Sequence, residues 1–476
     1  MSDTVAPTRH EVLDAASRRY RIQMAQRRAA VDRATVWAAQ ILVFAAFWIC
    51  LIGLTPLATG PSPLVSLVRQ ASFFGLAGAA LVLIAARWRV ALALIARSWA
   101  MLMVFAAMVS TVAWSQFPLT SIKRITVYLL LYITAIGIAA VLRTPRLYLP
   151  PVAIALTAVL GAELLATVAL PDRAWTPIGL AGIHSSKNLA GMVGMVLTLT
   201  FAALLIAVRQ PFLFWALVGL LIVSFGFLAL TLSKTSFGIA LVCVFGLIPA
   251  FAIMRRSPAF GALGVIAVVA LAGAITAMTG ALSLSTADWA TITTGDPTLT
   301  SRDEIWHASL HHIAQKPWFG FGYGAVWSMW PDFHPLDAVP GFWTGDLQTM
   351  LILNQSHNGY IDLFLHGGAY FFAVVVFFVL KTLIDILAAA FRPSGDRWDM
   401  AGQCLFAGFF VGTVLNNLLE STLFFPDGLL GILLVFFTIA ASAWRYSELE
   451  PRRTQPKLTG IWVNPRLRTP ENRAVE

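Results

Sequence analysis

The sequence predicts an all-α polytopic membrane protein with about twelve transmembrane helices and one large extracytoplasmic loop between the ninth and tenth spans. Three observations lead there. The 476 residues are 58% hydrophobic and only 12% charged, with a mean hydropathy of +0.77, whereas a soluble domain carries about 25% charged residues. Apolar runs close to bilayer length recur along the chain. Lysine and arginine alternate between dense clusters and sparse loops, the pattern that orients a multi-pass protein. A soluble globule of this composition would expose apolar surface it has no polar residues to cover. Cys50, Cys243 and Cys404 all lie in apolar runs and make neither a disulfide framework nor a metal site.

The predicted spans are 36–57, 71–86, 99–114, 125–142, 147–170, 189–208, 212–231, 236–254, 259–278, 360–380, 400–419 and 423–444. The chain then divides into a basic N-terminal segment (1–35), nine spans (36–278), a large loop (279–359), three spans (360–444) and a polar tail (445–476) expected to be disordered. Placing both termini in the cytoplasm puts 25 of the 33 Lys and Arg residues inside and 8 outside. Residues Arg9 to Arg33 read either as a basic helix on anionic lipid or as a solvated orienting tail. The net charge of +10 belongs to this topology, not to nucleic-acid binding.

The long loop holds six of the sixteen tryptophans and five of the eight histidines. A connection of that length in a compact protein is usually functional. Ser301 to Ala314 reads as an amphipathic helix, capped by Ser301 with Glu304 three residues on, and with Trp306, Leu310 and Ile313 on its apolar side. Tryptophan faces suit sugar rings, and equally suit a membrane interface or a small core.

The outside cations are the sharper signal: Arg69, Lys123, Arg124, Arg173, Lys187, Lys234, Arg302 and Lys316. Positive charge there opposes insertion, so a compensating use is expected. Several sit at span ends, where they can converge on an anion such as a diphosphate, with Arg as a bidentate fork and Lys as a point charge. The alternative is that each merely reaches to lipid headgroups.

Four stretches appear in order: Trp114-Ser115-Gln116-Phe117-Pro118 ahead of Lys123-Arg124; His184-Ser185-Ser186-Lys187-Asn188; Ser301-Arg302-Asp303 with Trp306, running on to Pro317 and Gly320-Phe321-Gly322-Tyr323-Gly324; and His357-Asn358-Gly359-Tyr360. The set resembles the O-antigen ligase/polymerase superfamily of bacterial membrane glycosyltransferases, which includes O-antigen ligases, Wzy-type polymerases and exopolysaccharide polymerases. The resemblance is strongest from Leu232 to Gly368. It implies a GT-C-like frame in the inner membrane with the large loop in the periplasm. The implied donor is an undecaprenyl-diphosphate-linked oligosaccharide and the acceptor a second glycan. An inverting, metal-independent mechanism with no cofactor is implied as well, and a chain-length regulator and export machinery are possible partners.

By the same resemblance, His357 falls on the loop histidine taken as essential and Arg302 on the loop arginine placed at the phosphates. Lys234, in Leu232-Ser233-Lys234-Thr235, stands where ligases usually carry arginine, a form closer to exopolysaccharide polymerases. His366-Gly367-Gly368 stands where a glutamate and glycine are common. Chemically, a histidine suits the general base that activates an acceptor hydroxyl, and Arg302, Lys234, Lys187, Arg124 and Lys123 suit charge developing on a leaving diphosphate. His184, Asn358, Trp306 and Glu420 are candidates for glycan contact.

Other signals carry less. The Gly320-x-Gly-x-Gly run reads as a tight loop, since no strand precedes it. His307 and His311 have metal-compatible spacing without a third ligand in register. Glu163, within the fifth span, is expected to pair with a buried polar neighbour. A transporter is the competing class, but no half-to-half repeat is visible and the polar residues gather at one face, not at mid-membrane. Within the enzyme class, polymerase and ligase are both open.

Overall fold

The computed structural model describes residues 9–54, 63–257, 302–327, 334–338, 353–392, 396–426 and 428–449, with single positions 259 and 329. The protein is an all-α polytopic membrane protein. Its helices are α1 (Arg9–Leu51), α2 (Pro63–Ala86), α3 (Trp88–Arg97), α4 (Trp99–Ser110), α5 (Pro118–Val141), α6 (Pro145–Ala169) and a single turn α7 (Pro171–Ala174). A two-residue hairpin, β1 (Trp175–Thr176) with β2 (Gly179–Leu180), follows. Then come α8 (Lys187–Ala207), α9 (Pro211–Leu230), α10 (Lys234–Leu241), α11 (Ile248–Arg256), α12 (Arg302–Gln315), α13 (Gly359–Ala390), α14 (Arg397–Asn416) and α15 (Leu429–Leu449). Among the described residues, ten helices are long and apolar enough to cross a membrane, and the bent pair α3–α4, extended to Trp114, makes an eleventh. The predicted ninth span (259–278) apart from position 259, the whole of the loop ahead of Arg302 with the expected Ser301 cap, and the tail from residue 450 lie outside the described residues.

Local chemistry sets the helix boundaries. Proline opens α2, α5, α6 and α9, where its missing N–H costs nothing and its fixed φ is already helical. Ser186 caps α8 through Leu189 N (3.3 Å), and Asp396 caps α14 through Trp398 N (2.9 Å). Ser98 separates α3 from α4 with a bend of 74°, so α3 lies across the direction of the span it precedes. α10 and α11 form one span through a π-helical turn at Val242–Leu247; Pro249 follows directly, and the wider turn absorbs its missing donor.

Several predicted boundaries are corrected. The second span begins near Pro63, not Ala71, because Arg69 rides on the helix instead of ending it. Lys123 and Arg124 lie in the second turn of α5, and Lys187 and Lys234 are the first residues of their helices. The last span starts at Leu429, not Leu423. Asn417 prevents the earlier start: its Oδ1 accepts from Thr422 N (3.0 Å) and Leu423 N (2.7 Å), folding the intervening chain into a loop.

One apolar core runs through the bundle, with α2 on α5, α8 between α9 and α14, α1 on α6, and α15 on α5. A second, small core forms under the loop from Ile305, Ala308, Phe321, Val326, Trp327, Leu336 and Leu365. It corrects the predicted face of the loop helix. In α12, Ile305, Ala308, Ser309 and His312 are buried while Leu310 is exposed, a face rotated by about one residue from the one expected. His312 Nε2 meeting Pro335 O (3.0 Å) holds it there.

Candidate active site

The quoted sequence stretches meet at one end of the bundle. Gln116 N donates to Phe321 O (3.0 Å), Phe321 N to Leu365 O (2.9 Å) and Gly322 N to His366 O (3.0 Å). Trp114 Nε1 donates to Phe319 O (2.6 Å) and Tyr323 N to Thr111 Oγ1 (3.0 Å). These bonds sew the glycine run onto the 111–116 connection between α4 and α5 and onto α13 as a tight loop, with Gly320, Gly322 and Gly324 all at positive φ. The loop docks where α13 is broken at Gly367 and Gly368, whose neighbours Ala369 N and Tyr370 N bond Pro317 O and Trp318 O. His366-Gly367-Gly368 is therefore a helix break that receives the loop.

Glu420 sits at the centre, only 2% exposed, on the connection between α14 and α15. Its Oε1 accepts from Arg302 Nη2 (2.8 Å) and Asn188 Nδ2 (2.7 Å). Its Oε2 meets His357 Nδ1 (3.1 Å) and Gln355 Nε2 (3.3 Å). Gln355 Oε1 in turn accepts from Ser421 N (3.2 Å). One buried carboxylate thus holds the guanidinium of the loop helix and the imidazole ahead of α13. A buried charge persists only when so compensated. With Nδ1–H donated to Glu420, the lone pair of the His357 ring stands on Nε2.

The segment carrying His357 is fixed from beneath. Asp362, buried in the first turn of α13, accepts from Trp327 Nε1 (2.6 Å), Ser356 N (3.1 Å), Ser356 Oγ (2.8 Å) and Ser421 Oγ. Asn358 is the helix cap, its Oδ1 taken by Tyr360 N (3.0 Å) and Ile361 N (3.3 Å). Trp306 donates its indole N–H to Ser356 O (3.0 Å). His357 itself is held at φ 55, a left-handed conformation uncommon for a non-glycine residue and concentrated at functional sites. Its side chain remains 24% exposed, so the ring is anchored at one nitrogen and partly open.

Not every predicted residue joins this group. Lys187 stands next to Asn188, and its ammonium donates to Ile178 O (3.1 Å) of the hairpin. Lys234 is exposed at the start of α10, which packs on α8 where Gly191 leaves room for Ser233. Lys187 and Lys234 thus stand on α8 and on the element packed against it, and the hydrogen bonds that Glu420 makes with Arg302, Asn188, His357 and Gln355 involve neither ammonium. His184 does not face outward: its Nε2 lies 2.6 Å from Glu163 Oε1, with both side chains buried, and Glu163 Oε2 accepts from Ile183 N (3.0 Å). That is the buried polar partner expected for Glu163. Arg124 turns to the glycine loop and donates to Gly324 O, while Lys123 is exposed; neither bonds the Glu420 cluster.

Sequence reasoning missed Gln355, Asn188 and Asp362 as members and read Glu420 only as a candidate for glycan contact. Asn188 closes the His184–Asn188 stretch and Gln355 lies two residues before His357, so proximity to quoted motifs was the available signal. Among the described residues, no group of three or more His, Cys, Asp or Glu side chains is gathered as metal ligands. The arrangement presents a carboxylate-oriented imidazole beside a guanidinium, a combination able to take a proton and hold an anion side by side.

Residues 219–378 match a family model described as O-antigen ligase. The match supports the O-antigen ligase/polymerase superfamily and an O-antigen ligase/polymerase-like function in a multi-pass membrane protein. It spans Lys234, Arg302, Gln355 and His357 but not Asn188 or Glu420. A search of curated proteins finds no match.

Proposed function

We propose that the protein is an inner-membrane glycosyltransferase that polymerises lipid-diphosphate-linked oligosaccharide repeats at the periplasmic face, with both termini in the cytoplasm. The observation that carries this reading is Glu420 in contact with both Arg302 and His357, at 2.8 and 3.1 Å. In the reaction, the acceptor hydroxyl gives its proton to His357 Nε2 as its oxygen attacks the anomeric carbon of the donor. The bond from that carbon to the diphosphate oxygen breaks on the opposite side, inverting the centre, and the electron pair leaves with the diphosphate. Arg302, which spends one edge of its guanidinium on Glu420, offers the rest of its fork to the phosphates, with Lys234 and Lys187 as further charge. Glu420 fixes the imidazole tautomer and stabilises the imidazolium, the part a carboxylate plays in a catalytic triad. Undecaprenyl diphosphate is the donor carrier proposed from the resemblance.

A ligase that moves a finished glycan to lipid A core or protein uses the same chemistry, and the description of the matched family model favours it. The Ser233-Lys234-Thr235 form favours the polymerase. His357→Ala in cells separates them. Polymer is expected to fall by about 10²–10⁴-fold with unchanged membrane insertion. Single repeat units accumulating on carrier lipid support the polymerase, and full-length lipid-linked chains the ligase. Finished glycan at wild-type level, with neither repeat units nor full-length chains accumulating on carrier lipid, overturns His357 as the base.

A further inference from the structure

At the opposite end of the bundle, a second polar pocket opens between α3, α4, α13, α14 and α15, with about 350 Å3 of space counting its open side. Arg97, Lys381 and Arg445 line it against a single carboxylate, Asp385. That carboxylate is shared: Lys381 Nζ contacts Asp385 Oδ2, and Arg445 Nη1 meets the same oxygen at 3.0 Å. Arg97 lies over the Tyr446 ring at 5.2 Å, a contact that does not neutralise its charge. The lining therefore holds a surplus of positive charge.

Among the described residues, two buried polar atoms in this wall have no hydrogen-bond partner: Arg445 Nε and Thr438 Oγ1. A guanidinium N–H can only donate, so what satisfies it is an acceptor. Buried polar groups are rarely left unpaired without a bound species to explain them. Deeper in, Phe378 and Phe406 line the pocket. Beside it, Trp99, Phe377, Leu380 and Ile384 form an exposed apolar strip, with Trp99 and Phe377 packed at 5.6 Å. The cations lie near the end of α13 and α15, where a span leaves the hydrocarbon, and the strip lies alongside.

We propose that this pocket binds the phosphate of an anionic lipid headgroup, with Arg445, Lys381 and Thr438 as ligands and the lipid's chains along the Trp99–Ile384 strip. Basic pockets between transmembrane helices hold headgroups of this kind. An anionic headgroup matches the surplus charge, whereas a zwitterionic one brings its own cation. The shared chemistry, a phosphate oxyanion, also exists in solution, and the test separates the two sources.

The full-length protein is delipidated in neutral detergent and titrated with phosphatidylglycerol, phosphatidylcholine or inorganic phosphate. Retained lipid is counted by native mass spectrometry and the melting temperature is read in parallel. Phosphatidylglycerol is expected to be retained in preference to phosphatidylcholine and to raise the melting temperature. Arg445→Gln is expected to weaken retention about tenfold. Thr438→Val keeps shape and the Asp385 ion pairs, so it tests the site even if Arg445→Gln fails to fold; its expected loss is about threefold. Equal retention of the two lipids, or unchanged retention in the folded variants, overturns the site. Stabilisation by inorganic phosphate matching that by phosphatidylglycerol overturns the lipid as its source.

Discussion

Glu420→Gln keeps the shape of the side chain and removes only its charge. An amide cannot stabilise an imidazolium as a carboxylate does, and its NH2 faces donors where Glu420 offers only acceptors. Transfer rate is expected to fall by about 10²-fold or more, with kcat losing more than donor affinity, in a single-turnover assay on purified protein. An equal loss in both would make Glu420 a phosphate-site prop and not an orienter of His357. At this scale the sequence showed His357 and Arg302 because both lie in motifs whose order is recognisable. It did not show their partner, since Glu420 is 118 residues from Arg302 and 63 from His357. Nothing local marks such a contact; Glu420 at a span end reads equally as a helix cap. His184 misled for the same reason, because its distance along the chain from Glu163 hides a buried pair behind a motif that looks exposed.

The elements that hold these residues depend on a few backbone positions. Gly368 has φ 62 and ψ −162, a region essentially confined to glycine, and a Cβ there would press on the Trp318 carbonyl. Gly368→Ala is expected to destabilise the protein by about 1–3 kcal/mol, read as a drop in melting temperature in detergent. Gly75→Ala on α2, where a Cβ meets nothing within 4 Å, is expected to be neutral or slightly stabilising. Among the described residues, the ten spans and the bent pair α3–α4 were largely legible from apolar length alone, because a bilayer demands that length whatever the packing. Their ends were not. Charged residues such as Arg69 and Lys123 read as loop, yet a helix end at the membrane surface tolerates them by extending the side chain outward. The non-helical stretch after Asn417 was masked by its own hydrophobicity, since Leu423, Phe424 and Phe425 look like membrane-spanning residues and instead pack under the site.

Across the whole molecule, acid–base pairs at the end away from Glu420 lock neighbouring helices: Asp32 with Arg87 (2.5 Å) and Arg255 with Asp399 (2.7 Å). The proposed orientation puts that end in the cytoplasm and makes a simple accessibility test. In a Cys50→Ser background, Lys123→Cys is expected to react with a membrane-impermeant thiol reagent added outside the inner membrane. Arg209→Cys, at an exposed position between α8 and α9, is expected to react only after the membrane is opened. Cys243 and Cys404 are buried and stay silent. The reverse labelling pattern would place the candidate site in the cytosol and remove the proposed reaction.

Asn188, Arg302, Gln355, His357 and Glu420 reach one point from widely separated parts of the chain, and the last to be synthesised is the carboxylate that joins the others. A ribosome that has delivered every earlier helix to the bilayer has still made only a bundle with an unanchored imidazole and an unmatched guanidinium. On the proposed reaction, the site is completed late in translation, when α14 inserts and the turn behind it folds back. A cut that removes the final two helices is expected to leave a membrane-embedded protein without transfer activity.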